Sequence, residues 1–153
     1  MSASSTEVLE GIVLRLGVRD IANVFYADGL KSDGDDFALN SKEEERVKHG
    51  DGIGALSVWD AQLTTPGQAN RQPKTRIVLE LDVVAIRDLT HDLHVWREPE
   101  DADWEGADGH CALQNVWAAT KRARKEIRGD LVNISQVRGM VAAADVSTLR
   151  PRL

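Results

Sequence analysis

The sequence predicts a single α+β domain, with a mixed or antiparallel sheet of about five strands flanked by two main helices. Three observations lead there. Several short stretches alternate apolar and polar residues with period two, while two longer ones space their apolar residues by three and four. The length of 153 residues, 42% of them hydrophobic, suits one core of roughly 15 Å radius of gyration. The domain is assigned to residues 1–153, with 1–7 and about 141–153 read as flexible ends.

Within residues 10–16, Ile12, Leu14 and Leu16 share one period-two face and Val13 and Arg15 the other, which reads as a strand. Ile21, Val24 and Phe25 then repeat at helical spacing, so residues 20–28 read as a helix started by Asp20 and ended by Gly29. Residues 31–36 form a polar turn. Ser41 and Glu44 match a capping box for a helix to about Lys48, with Glu44 and Lys48 placed to pair. Glycines then lead into a strand at 55–59, where Leu56 and Val58 face one way and Ser57 the other. Thr65, Pro66, Gly67 and Gln68 repeat the capping logic for a helix that Pro73 closes.

The strongest strand signal covers residues 75–87, where Ile77, Leu79, Leu81 and Val83 alternate with Arg76, Val78, Glu80 and Asp82. Another strand is expected at 93–96. Residues 98–108 carry six carboxylates and no basic residue, and read as a loop. From 111 to 128, Leu113, Val116, Trp117, Thr120 and Ile127 trace a helical stripe, with Lys121, Arg122, Arg124, Lys125 and Arg128 largely off it and Gly129 as its end. A last strand is expected at 131–137.

Composition narrows the function. Nineteen Lys plus Arg against 25 Asp plus Glu give a net charge of −6, and the single cysteine, Cys111, admits no intrachain disulfide. No stretch approaches the roughly 20 apolar residues of a membrane span, and the polar start lacks the features of a signal segment. A cytoplasmic location follows by default. Residues 121–128 hold five basic residues and one acid, a local +4, yet the overall charge opposes nucleic acid and no aromatic platform accompanies them. The helix is expected to meet the acidic 98–108 loop, within the molecule or across a homodimer, or an acidic protein partner.

Four chemical constellations stand out. Asp33, Asp35 and Glu44 fall at calcium-loop positions one, three and twelve, but Phe37 and Ala38 occupy the fifth and sixth, where a ligating oxygen and a glycine are needed. His91, His94, His110 and Cys111 are zinc-type ligands, but on a strand His91 and His94 diverge, and adjacent helical residues diverge too. Cys111 in a first helical turn would ionise more readily, yet neighbouring His110 would not face it. Glu80 and Asp82 share a strand face, as an acid and base pair requires. No metal is expected.

The strand with Arg15, the helix ending at Gly29 and Leu30, residues 55–58, 64–69 and the strand 76–83 together resemble small uncharacterised bacterial domains. Over about residues 8–86 they are also loosely similar to the opening of ADP-ribosyltransferase-like folds. That resemblance implies a nucleotide-binding enzyme using NAD, with Arg15 gripping a phosphate and Ser57 orienting the ligand. Glu80 is the carboxylate available to it. The chain departs from the pattern in lacking a late glutamate motif and in placing its one tyrosine, Tyr26, within the expected helix.

The leading expectation is a non-enzymatic accessory module without a cofactor. It would bind a protein partner through Trp104, an aromatic in a charged loop, and through Lys121, Arg122, Arg124, Lys125 and Arg128. The nucleotide-binding enzyme is the alternative.

Overall fold

The computed structural model describes residues 6–21, 34–39, 41–50, 54–98, 104–118 and 120–144. Seven strands form one sheet: β1 (Glu7–Val8), β2 (Ile12–Leu16), β3 (Leu56–Asp60), β4 (Arg76–Asp82), β5 (His94–Arg97), β6 (His110–Gln114) and β7 (Gln136–Val141). Their order across it is β1-β5-β6-β3-β2-β4-β7, and every neighbouring pair is antiparallel. The α+β class holds. The count of about five strands is corrected to seven, because β1 is too short to show a period and β6 lies inside the stretch read as the long helix.

That stretch holds the main departure. Cys111 and Leu113 are buried on one face of β6 while His110 and Gln114 take the other. The helix begins ten residues after Cys111, as α4 (Lys121–Ile134), where the Thr120 hydroxyl accepts from the Ala123 amide at 3.1 Å. It runs through Gly129, so β7 starts at Gln136 and not at 131.

Among the described residues the other helices are α1 (Ser41–Lys48), α2 (Pro66–Ala69) and α3 (Val83–Asp88), with 3-10 turns at Gly34–Phe37 and Ala107–Gly109. In α1 the Glu44–Lys48 pair closes at 3.2 Å; the Ser41 side chain lies outside the described residues. The Thr65–Gln68 capping box is complete, with Pro66 at the helix start. Alternation in β4 stops at Asp82, whose carboxylate accepts from the Val84 amide at 2.9 Å and starts α3, so the strand expected to Arg87 ends five residues earlier. Burial of Val83 and Ile86, three apart, outweighs the strand preference of the β-branched pair. Of the helix expected at 20–28, residues 22–28, Tyr26 among them, lie outside the described residues.

Strand alternation builds two apolar layers. Val13, Leu56, Val58, Leu79, Leu81, Cys111 and Leu113 form the larger one with Phe37, Ile86, Ile127 and Leu131 from the 3-10 turn, α3 and α4. On the opposite face Leu14, Leu16, Trp59 and Val78 pack with Ala69 of α2, Trp104 and Val141. That thinner layer leaves room for a cavity at one end of the sheet.

Candidate functional site

A cavity of about 740 Å³ opens where β2 ends and β3 begins. Among the described residues, Arg15, Arg71, Lys74 and Arg76 bring four cationic side chains to its lining, against one carboxylate, Asp35. Ser57, Trp59, Gln72 and Trp104 lie among them. Arg15 and Ser57 are therefore brought together.

Each cation has a local reason for its place. Arg15 is 8% exposed and donates from Nε to the Asp36 carbonyl and from Nη1 to the Ser57 carbonyl, both at 2.8 Å. Arg76, also 8% exposed, donates to the Gly17 carbonyl at 2.6 Å and to the Leu16 carbonyl at 3.4 Å. A Cβ at Gly17 would collide with Ile77 and approach Asp36 Oδ1 to 3.0 Å, so only glycine lets these strands and the turn close here. Arg71 and Lys74 ride on the segment after α2. Asn70 pins that segment by donating to the carbonyls of Lys74 (2.8 Å) and Ala142 (2.9 Å) and accepting from the Gln72 amide.

Two buried guanidiniums share a buried counter-charge, Asp36. Burial, and then repulsion from Arg76, holds the Arg15 guanidinium down to about 10, with fully buried Asp36 pulling the other way. Burial lowers Arg76 too, again against the attraction of Asp36. Among the described residues neither Arg71 nor Lys74 pairs with a carboxylate; Arg71 lies over the Trp104 ring at 4.8 Å. The indole N–H of Trp59, a residue 8% exposed, is buried without an acceptor among the described residues, and such an orphan donor costs about 1–3 kcal/mol.

Behind Ser57 stands His110. Strand register sets both on the same sheet face, since Ser57 pairs with Ala112 and Trp59 with His110. His110 Nε2 lies 2.9 Å from Ser57 Oγ and Nδ1 lies 2.7 Å from the Glu98 carbonyl oxygen. That oxygen can only accept, so in the neutral ring Nδ1 carries the proton and Nε2 accepts from the Ser57 hydroxyl. The Trp59 ring meets the imidazole edge-on, with centroids 5.8 Å apart, and holds its plane.

The other expected residues lie elsewhere. Glu80 shares the Ser57 face of the sheet but is not a lining residue; its Oε2 meets Arg138 Nε at 2.5 Å. A register shift in the β4–β7 ladder leaves Arg138 as the extra residue that reaches it, beside Gly139 at φ +121°. Asp82 is spent on the α3 cap. Cys111 is not at a helix start: it faces the larger core, and burial pushes its thiol up to about 11. His91 meets Asp130 at 2.6 Å and His94 meets Glu7 and Asp92, so the histidines do not converge with Cys111. Among the described residues no group of three or more His, Cys, Asp or Glu side chains could hold a metal ion.

Trp104 is half-buried against the second core. On α4, Lys121, Arg122 and Lys125 are exposed, with Arg122 3.5 Å from Glu126. Arg124 stacks over Trp117 at 4.1 Å and donates to the Ala118 carbonyl at 2.8 Å. Lys121, Arg124 and Arg128 also line a smaller cavity of about 180 Å³, beside Glu44 and Phe37. Among the described residues no ion pair joins Glu98, Glu105 or Asp108 to this helix; residues 99–103 lie outside them.

Sequence reasoning missed Arg71, Lys74, Arg76, Asp36 and the pairing of His110 with Ser57. The alternation from His110 to Gln114 carried a usable strand signal, which the helical stripe from Leu113 onward overrode. Nothing local marks Arg76 as buried, since that depends on the carbonyls of Leu16 and Gly17 some 60 residues earlier.

No protein-family model, no curated protein and no solved structure matches the chain. Among the described residues no helix is long and apolar enough to cross a membrane.

Proposed function

We propose that the protein binds a small phosphate-bearing molecule of the nucleotide class in the cavity at the end of β2 and β3. The carrying observation is the charge of its lining, four cations to one carboxylate among the described residues, with two buried guanidiniums that donate to carbonyls and share the buried counter-charge of Asp36. An anion there would relieve the repulsion between Arg15 and Arg76. Trp104, already stacked by Arg71, is suited to a base. NAD, the ligand implied by the ADP-ribosyltransferase resemblance, belongs in the same class. The pairing of Glu80 with Arg138 outside the cavity weighs against transfer of ADP-ribose.

Thermal unfolding with pyrophosphate, ADP, ATP and NAD tests this. A ligand at 100 times its dissociation constant adds about 2.7 kcal/mol, and the gain should shrink in an Arg71→Gln/Lys74→Gln chain. No shift with any of the four would end the proposal.

A second reading, a non-enzymatic module binding an acidic protein partner, is favoured by exposed Lys121, Arg122 and Lys125 on one turn of α4. It also accommodates a homodimer. Reversing these three charges should abolish recovery of the partner; unchanged recovery would remove this surface.

A further inference from the structure

We infer that the Ser57–His110 pair is a nucleophile and its base, and that the cavity hydrolyses an ester carrying a negatively charged group. This rests on the anion-binding reading of the same cavity and adds the chemistry. Three observations carry it. The 2.9 Å separation of Ser57 Oγ and His110 Nε2 lies within the range for proton transfer. The base is oriented by a third group, the Glu98 carbonyl 2.7 Å from Nδ1, which presents the bare nitrogen to the hydroxyl. The hydroxyl belongs to a cavity-lining residue while the imidazole behind it is 8% exposed, so the reactant meets the nucleophile first, with Nε2 next to the reacting oxygen.

In the first step Ser57 Oγ bonds to the ester carbonyl carbon, the carbonyl π pair moves to oxygen, and the hydroxyl proton passes to His110 Nε2. Collapse breaks the bond from carbon to the leaving oxygen, which takes the proton from Nε2. Water then attacks the acyl group, gives its proton to Nε2, and Ser57 departs with that proton. Ester and water thus become acid and alcohol. Arg71 and Lys74 hold the charged group and select for it.

The test uses a fluorophosphonate probe and two 4-nitrophenyl esters, the glutarate monoester, which bears a carboxylate, and the neutral butyrate. In labelling, Oγ bonds to phosphorus and fluoride leaves. Intact mass should show one adduct, mapped to Ser57 and absent in Ser57→Ala. His110→Gln should slow labelling by about a hundredfold or more; folding of each variant is checked by its unfolding temperature. The wild type should prefer the glutarate ester, and Arg71→Gln/Lys74→Gln should lose that preference. Absence of the Ser57 adduct in the wild-type chain overturns the nucleophile, and leaves the binding reading intact if ADP still raises the unfolding temperature. Ser57 labelling with no preference for the charged ester overturns the anionic substrate and the binding reading with it.

Discussion

The Arg15 guanidinium ties together segments 21 and 42 residues away in sequence, donating from Nε to the Asp36 carbonyl and from Nη1 to the Ser57 carbonyl, both at 2.8 Å. One planar fork thereby fixes the 3-10 turn and the start of β3 against β2. Arg15→Met should leave both carbonyls without that donor and lower stability by about 2–4 kcal/mol, read from urea unfolding. Arg15→Lys should recover little, because a single ammonium lacks the two directed arms of the fork.

Asp36 is the buried counter-charge to Arg15 and Arg76, and its Oδ1 accepts from the Val18 amide at 3.3 Å. Asp36→Asn keeps the shape and removes the charge, leaving two buried guanidiniums uncompensated. The expected loss is about 3 kcal/mol. Phosphate buffer should restore part of it relative to an amine-sulfonate buffer of matched ionic strength, since an anion in the cavity replaces the missing charge. Equal losses in both buffers would count against anion binding.

Gly129 sits within α4 with open space where a Cβ would be. Gly129→Ala should therefore raise stability by roughly 0.5–1 kcal/mol, visible as a higher urea midpoint. A destabilised variant would contradict the helix running through residue 129.

His94 receives both its partners through ring nitrogens, Nδ1 to Glu7 Oε2 at 2.7 Å and Nε2 to Asp92 Oδ1 at 2.8 Å. Only the imidazolium can donate from both, so its pKa is raised above 6.5, by the hydrogen bond to Glu7 first and that to Asp92 next. A raised folded-state value means stabilisation that is full below 6.5 and is lost as pH climbs through the folded value. An NMR titration should place the His94 midpoint above 6.5, and His94→Gln should flatten the decline in stability across that window.

The fold was legible where one face of a strand is buried and the other is polar, as in β2 and β3, and where local chemistry decides alone, as in the Thr65–Gln68 cap. It failed where two patterns overlap. Leu113 belongs at once to the alternation of β6 and to a spurious helical stripe with Val116 and Trp117, so the helix was set ten residues early. β1 has two residues and no period to read. For the site, Arg15 and Ser57 entered only through the ADP-ribosyltransferase resemblance, and both lie in the cavity lining. Arg71, Lys74 and Asp36 were not legible, because only long-range closure makes a turn residue a cavity wall. Trp104 read as an exposed anchor, since no local signal reports that Leu14, Leu16 and Val78 lie beneath it.

The most direct measurement is the indole N–H spectrum of the four tryptophans during titration with ADP, with Trp104 assigned through Trp104→Phe. The Trp104 resonance should move and saturate as a base reaches the ring that Arg71 covers, with Trp96 unmoved. A Trp104 resonance that stays in place at saturating ADP and NAD would contradict the cavity as a nucleotide site.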